Sequence, residues 1–366
     1  MRERLADVET FEDRLNAARR FQREEAFRIG VQVLERTASG ELAGAAYADL
    51  AEACTVAMAE AALAEVERSH DKQPGAFAVL ALGKFGGREL AEGSDLDLMV
   101  VYDAPADAAG GKLTGGEFYT RVTQRLISAL SASTEEGELY EIDTKLRPSG
   151  SQGPVAVRLS SFERYYGEEA WTWEMLALTR LRPVAGDAAL GAKALDLAQA
   201  ALRRPRDAAK TRVEVADMRA LMDRERRAKS MWDLKLAPGG FVDIEFIAQT
   251  LQLINAAAKP DVLAANSGDA LTRLSAAGAL AAEQAARLTE AWALWSDLQQ
   301  ALRICVAGDF SEDAAGDPLK ARLAALVGEP SFDVLKSKVA ALQTAVRADF
   351  VQLVGPVGDG AKPQAR

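Results

Sequence analysis

Cysteine and histidine are almost missing from this chain of 366 residues, which has two of the former and one of the latter. Cys54 and Cys305 lie far apart, so neither a disulfide framework nor a cysteine-based zinc site can be assembled, and the composition suits a reducing compartment. The lone His70 excludes HExxH zinc chemistry, which needs two histidines. A Ser-His-Asp triad would have to rest on a residue that ends the charged stretch "EVERSH" and reads as an exposed helix terminus. Any metal bound here is expected to be hard and held by oxygen. Long apolar runs are absent too. Nothing approaches the roughly 18 consecutive apolar residues of a membrane span, and "MRERLADVETFEDR" lacks the apolar core of a signal peptide. No membrane partner and a cytoplasmic location are expected. Positive charge is in deficit, 44 Lys and Arg against 54 Asp and Glu for a net −10, which argues against a nucleic-acid coat and leaves room only for a local basic cleft. No internal repeat is evident.

What is present is the material of an ordinary globular protein, 49% hydrophobic and 27% charged, long enough for two or three packed units. Residues 1–70 carry apolar positions at helical spacing and form a helical lead-in. "DKQPG" at 71–75 breaks that pattern. From there to about residue 200 strand-like runs ("AFAVLALG", "DLDLMVVYD", "ELYEIDTKLRP", "GPVAVRL") alternate with helical ones ("GEFYTRVTQRLISALSAST", "SFERYYGEEAWTWEMLALTRLR"). Strand signals then nearly vanish, and residues 201–355 read as a helical bundle with a disordered tail at 356–366. The fold class is therefore α+β, a mixed sheet with flanking helices followed by an all-α unit. "DAPADAAGGKLTGG" at 103–116 reads as a flexible surface loop.

The chemistry concentrates around "GSDLDLMVVYD". On a strand Asp95 and Asp97 face the same way while Leu96 and Leu98 face the other, and two neighbouring carboxylates repel unless a cation lies between them. A divalent ion such as Mg²⁺, commonly held by one or two carboxylates plus substrate phosphates, would reverse the sign. A solvated edge strand is the plainer reading of a bare Asp-x-Asp. Its context shifts the balance. "LGKFGGREL" just upstream sets Gly83, Gly86 and Gly87 after a strand, where backbone amides can approach phosphate, with Lys84 as a phosphate-binding cation. "LYEIDTKLRPSG" alternates Glu141, Asp143, Lys145 and Arg147 with apolar residues. It reads either as an ion-pair ladder on a solvated sheet or as the source of a third carboxylate, Asp143, with Lys145 and Arg147 balancing triphosphate charge. The stretch "EEAWTWEMLALTRLR" is expected to be an amphipathic helix burying one tryptophan, with nucleobase stacking by Trp171 or Trp173 as the alternative.

Strand, "GKFGG", "GSDLDLMVVYD" and "YEIDTKLRP" together resemble the nucleotidyltransferase superfamily that includes polymerase beta. More narrowly, "LALGKFGGRELAEGSDLDLMVVYD", "LYEIDTKLRPSGSQGPVAV", "EAWTWEMLALTRLRPVAGD" and "DLKLAPGGFVDIEFIAQ", in that order over residues 76–260, resemble the glutamine synthetase adenylyltransferase family. The resemblance implies that Asp95, Asp97 and Asp143 hold two Mg²⁺ ions, that ATP is the substrate, and that AMP passes to a tyrosine of glutamine synthetase. A carboxylate beside the attacking oxygen makes Asp143 the expected proton acceptor, and Lys84, Lys145 and Arg147 are expected to steady the triphosphate. Many superfamily members place Gly-Ser at the phosphate-binding turn. Here spacing puts Gly83 and Lys84 there, and Gly93 and Ser94 lead into the Ser-Asp-x-Asp segment instead.

Full-length members carry two similar halves, one attaching AMP and one removing it by phosphorolysis. "EAWTWEMLALTR" resembles the attaching half, and the short lead-in suggests a fragment of a longer chain. The resemblance also implies a PII-type signal protein and glutamine as effectors. Still open are the removing half, a uridylyltransferase acting on a PII-type protein, a template-free RNA nucleotidyltransferase opposed by the negative charge, and a regulatory module with a vestigial nucleotide site.

Overall fold

The computed structural model describes residue 1, residue 8, and residues 10–105 and 113–357. Half of the loop expected at 103–116 and most of the tail expected at 356–366 lie outside the described residues. The described chain falls into two compact units: residues 1–29, 45–170 and 180–201 in one, and residues 30–44, 171–179 and 202–366 in the other.

The first unit is built on a mixed sheet. Strands β1 (Ala76–Ala81) and β2 (Leu96–Asp103) pair antiparallel at its centre, where a continuous apolar run belongs because both faces are covered. β3 (Ile142–Asp143) and β4 (Ala156–Arg158) lie parallel to β2, one pairing with its first two residues and the other with positions 100 to 102. β5 (Arg182–Gly186) pairs antiparallel with β1 at the opposite edge, giving the order β3-β2-β1-β5. Helices α1 (Phe11–Leu34) and α2 (Gly40–Ser69) precede the sheet, and the short α3 (Gly83–Gly86) joins β1 to β2.

α4 (Gly115–Ser131) starts on a capping box in which Thr114 and Glu117 satisfy each other's backbone amides. It buries Phe118, Tyr119, Val122, Leu126 and Leu130, a single helical stripe. The buried Arg19 guanidinium donates to the carbonyls of Ala129 (3.3 Å) and Ala132 (2.5 Å) near the end of α4 and to Gly137 O (2.7 Å), oxygens that a helix terminus leaves without partners.

The sequence suggests one helix from Ser161 to Arg182; the structure breaks it. α5 (Leu159–Arg164) runs into a wider turn at Tyr165–Glu169, α6 (Thr172–Leu178) follows, and the chain then becomes strand β5. Pro183 explains the end: a residue before proline is pushed out of helical geometry, and proline lacks the N–H that a central strand would need, so it sits on an edge strand. The strand expected across 138–148 likewise shrinks to β3, because the chain turns soon after Asp143.

α7 (Ala188–Leu202) leads into the second unit, which is helical as expected: α8 (Ala208–Glu225), α9 (Phe241–Asn255), α10 (Ser267–Ala276), α11 (Ala282–Cys305), α12 (Asp317–Leu326) and α13 (Phe332–Leu353). Its core holds Trp292 and Trp295, both nearly inaccessible, with Phe241 edge-on to Trp292 at 5.0 Å. No described helix is long and apolar enough to cross a membrane. Both cysteines are free thiols.

Candidate active site

A tight turn launches β2. Ser94 closes it, its amide donating to Ala91 O (3.1 Å) and its Oγ accepting from Ala91 N (3.0 Å). Asp95 is the exposed residue just before the strand and Asp97 its half-buried second position, while Leu96 and Leu98 are buried on the other face. The parallel register then pairs Asp97 with Asp143 and Leu96 with Ile142, and Leu96 N donates to Glu141 O at 2.9 Å. Register partners on neighbouring strands project to the same face, so the fold brings Asp97 and Asp143 side by side, with Asp95 two residues before Asp97.

The side chains are not closed around a common centre. Among the described residues no three Asp, Glu, His or Cys side chains converge tightly enough to hold an ion. Asp143 instead accepts from Lys145, at Oδ1 from its amide (2.7 Å) and at Oδ2 from its Nζ (3.0 Å). Neighbouring carboxylates repel, and a positive group beside one of them offsets that repulsion. The donors are all hard carboxylate oxygens on adjacent strand ends, a set that suits a divalent ion once Asp143 leaves Lys145.

The glycine-rich turn abuts this cluster. Gly83 adopts φ +51°, and a Cβ at that position would overlap Asp97 Oδ2, so only glycine leaves the carboxylate its room. Leu82 N donates to Asp97 O at 3.0 Å, which fixes the turn to β2. Lys84, half-buried, follows directly. Two of the expected phosphate donors are used elsewhere. The amides of Gly86 and Gly87 donate to Leu82 O (2.7 Å) and Gly83 O (3.1 Å), and Gly86 is buried against the Arg180 carbonyl, so its lack of a side chain serves backbone packing.

Arg147 also departs from expectation. With the strand ending at Asp143 it no longer shares a face with Lys145. Its buried guanidinium commits every N–H to the loop it sits in: Thr144 O and Oγ1 (2.7 and 2.9 Å), Ser151 O (3.3 Å), and Gly153 O twice (3.2 and 3.1 Å). It shapes the loop and has no donor left for a nucleotide.

Several contributors escaped the sequence reading. Arg182, on the edge strand β5, donates to Gly86 O (3.3 Å) and Phe85 O (3.4 Å) and pairs with Glu52 of α2. Arg88 forms a two-point pair with Asp49, also of α2 (2.6 and 2.8 Å). Burial pushes the half-buried Glu92 carboxyl, in the turn before β2, above the usual range, opposed by the nearby Tyr47 hydroxyl, which itself donates to Ala26 O at 3.4 Å. Burial pushes the Tyr140 hydroxyl far up and raises the Cys54 thiol to about 12. Alternating sequence patterns carry no sign of these contacts, which join residues distant in the chain. Pro183 was the one available hint of β5.

In the second unit neither tryptophan of "AWTWEM" is buried: Trp171 is 53% exposed and Trp173 39%. Trp171 caps α6, its amide donating to Glu174 at 2.9 Å. Asp243, from "GGFVDIEF", lies wholly buried. It receives Arg219 Nε at 2.5 Å, Arg347 Nη1 at 3.1 Å and Gly239 N at 2.7 Å, a structural hub rather than a solvent-facing group.

Comparison with known proteins divides along the same line. Residues 1–197 match the family model described as glutamate-ammonia ligase adenylyltransferase, and residues 207–351 match that of GlnD PII-uridylyltransferase. The chain is similar to the bifunctional glutamine synthetase adenylyltransferase/adenylyl-removing enzymes of Caulobacter vibrioides (49% identity over 95% of the chain), Bradyrhizobium sp. strain BTAi1 (41% over 96%) and Mesorhizobium japonicum (42% over 93%). It spans 35–36% of the length of each.

Proposed function

The chain belongs to the glutamate-ammonia ligase adenylyltransferase family, and we propose from that premise that it transfers AMP from ATP to a tyrosine hydroxyl of glutamine synthetase, releasing pyrophosphate. The observation that carries the reading is the register of Asp97 with Asp143 beside the Gly83 turn. Asp95, Asp97 and Asp143 would hold Mg²⁺, in two-ion fashion, and the metal when bound supplies neutralisation of triphosphate charge. The remaining work belongs to the chain. Gly83 and Lys84 face the phosphates, with Gly93 and Ser94 shaping the turn that presents Asp95. Lys145, 78% exposed, is free to swing from Asp143 to the departing pyrophosphate. Asp143, once released, takes the phenolic proton as the tyrosine oxygen bonds to the α-phosphorus and the bond to the β-phosphate oxygen breaks. Positioning and charge complementarity account for most of the catalysis.

In this reading residues 71–200 form the catalytic domain, with residues 1–70 packed on it, and 201–355 a helical domain. The match of the latter region to a PII-uridylyltransferase model supports a PII-type protein as effector, and we add glutamine as the second. The reaction is cytoplasmic. Uridylyl transfer is the less favoured reading, because the carboxylates lie in the region matched by the adenylyltransferase model.

Mass spectrometry of glutamine synthetase incubated with the chain, ATP and Mg²⁺ tests the proposal. A gain of one AMP on tyrosine is expected, abolished by Asp97→Asn. Loss of AMP from the modified synthetase with phosphate, or UMP transfer from UTP to a PII-type protein, without AMP attachment, would replace it.

A further inference from the structure

Arg182 pairs with Ala81, the last residue of β1, in the antiparallel register of β5, so its backbone stands opposite the point where the chain leaves the sheet for α3. From there its guanidinium divides among three acceptors. Nε donates to Gly86 O at 3.3 Å, Nη2 to Phe85 O at 3.4 Å, and Nη1 to the Glu52 carboxylate of α2. The first two oxygens belong to the last residues of α3, where a helix leaves carbonyls without intrahelical partners and an arginine can take them up. The guanidinium also lies over the fully buried Phe85 ring, 5.7 Å from its centroid. Just ahead of β5 the Arg180 carbonyl packs so closely on Gly86 that a Cβ there would overlap it. Side chain and backbone of one segment thus bear on the same end of the same short helix.

We propose that Arg182, oriented by Glu52, is a positioning residue: by holding the far end of α3 it fixes where Gly83 and Lys84 stand against Asp97, and so shapes the seat for the nucleotide's phosphates. The inference deepens the nucleotidyl-transfer reading and rests on it for the role of the glycine turn. α3 is a single turn of four residues, far below the length at which a helix holds itself. Its near end is tied to β2 by Leu82 N to Asp97 O at 3.0 Å. At its far end Arg88 N to Phe85 O (3.2 Å) and Glu89 N to Lys84 O (2.8 Å) are bonds within the turn, which set its shape and not its place against β2. Arg88 offers a tie to Asp49 of α2, but that pair is solvent-exposed, and exposed pairs hold little. Arg182 and Glu52 are half-buried, and Arg182 is registered on β1, so its three contacts connect the turn to the sheet. Play at the far end would be felt at Gly83, whose backbone stands against the Asp97 carboxylate. A lysine would offer one point charge where three directed N–H groups are used.

The test uses the full chain, with calorimetric binding of ATP in the presence of Mg²⁺, binding of Mn²⁺ alone as a spectroscopic probe of the carboxylates, and hydrogen exchange; none of these needs turnover. Arg182→Met should weaken ATP binding about tenfold, the scale of a small misplacement of binding groups, and Mn²⁺ binding by less than about twofold, because β2 and β3 still place the carboxylates. The Gly86 and Gly87 amides, which close the turn on Leu82 O and Gly83 O, should exchange several-fold faster while that of Val100 in β2 is unchanged. Arg182→Lys should recover only a small part of the loss. Glu52→Ala should weaken ATP binding about threefold, and Glu52→Gln, which keeps an oxygen for Nη1, should stay near wild type. Val122→Ala, a cavity in the core of the same unit, should lower the melting temperature and move neither ATP affinity nor Gly86 exchange. If Arg182→Met does not fold, Arg182→Lys and Glu52→Ala carry the same comparison. Wild-type ATP affinity and Gly86 exchange in the Arg182 variants, or the same changes in Val122→Ala, would overturn the proposal. A wild-type chain that binds ATP yet attaches no AMP to glutamine synthetase refutes the reaction assigned above and leaves these readouts to decide the inference. A wild-type chain that binds no ATP removes the phosphate seat and the inference with it.

Discussion

Lys145 grips Asp143 at two points, its amide at 2.7 Å from Oδ1 and its ammonium at 3.0 Å from Oδ2. The ammonium competes for an oxygen that a metal would need. The side chain is 78% exposed, so the pair is worth at most about 1 kcal/mol and a divalent ion displaces it without difficulty. Replacing Lys145 with methionine should therefore lower the half-saturating Mn²⁺ about two- to fivefold, the factor that energy represents. On the proposed AMP transfer, the same change should reduce kcat/KM about tenfold, since no ammonium would then meet the pyrophosphate. The two effects have opposite signs, and equilibrium titration beside steady-state kinetics separates them. Metal binding and turnover both falling would make Lys145 a structural group.

Gly83 and Gly86 sit three residues apart and should fail in different ways. A methyl on Gly83 meets the end of the Asp97 side chain, which can rotate away. Gly83→Ala should fold with a loss of about 1–2 kcal/mol from the left-handed backbone while binding Mn²⁺ poorly. A methyl on Gly86 meets the buried Arg180 carbonyl, which cannot move without shifting backbone. Gly86→Ala should lose stability well beyond 2 kcal/mol, as overpacked cores do. Urea denaturation of both variants checks the order, and a Gly83→Ala variant with wild-type Mn²⁺ affinity would detach the glycine turn from the carboxylates.

Asp243 predicts a stability effect of another kind. Arg219 has no exposed surface and shares the Asp243 carboxylate with Arg347, while Asp223 completes the group. Removing Asp243 strands a buried guanidinium and leaves the Gly239 amide without its acceptor. Asp243→Ala should cost about 3–5 kcal/mol. Asp223, 31% exposed, can be replaced by water more readily, and Asp223→Ala should cost clearly less. Chemical denaturation ranks them, and equal losses would mean that the ion pairs act as one unit.

The contrast between these residues shows what a sequence can disclose. That Asp97 faces away from Leu96 and Leu98 was legible because strand periodicity fixes which way alternate side chains face, and the turn at Gly83 because few other residues suit a turn after a strand. Local pattern misjudged what depends on distance along the chain. Arg147 looked like a member of an ionic strand face because its spacing fits one, yet a turn after Asp143 redirects it into its own loop. The run ending in "TRLRP" kept helical spacing up to Pro183, while the partner that makes β5 a strand is β1, a hundred residues earlier. Asp243 gave no sign of burial, since only the arrival of Arg219 and Arg347 from other helices makes a carboxylate there tolerable.

Asp297 offers a test through pH. The carboxylate accepts the Gly40 amide at 2.5 Å, at the start of α2, and lies in a half-buried position. Burial raises its proton affinity; the Gly40 hydrogen bond and the positive charge of Arg36 oppose that and do not cancel it. A group whose folded pKa stands above its unfolded one binds protons more tightly when folded. Its contribution is full below the unfolded value, about 3.9 for aspartate, and is lost as pH rises through the folded value. Asparagine keeps the acceptor for Gly40 and carries no charge. Asp297→Asn should thus unfold at the same urea concentration as the wild-type chain near pH 3.5 and at a higher one at pH 7. The reverse ordering at pH 7 would mean that Arg36 outweighs burial and that the carboxylate is held as a favourable ion pair.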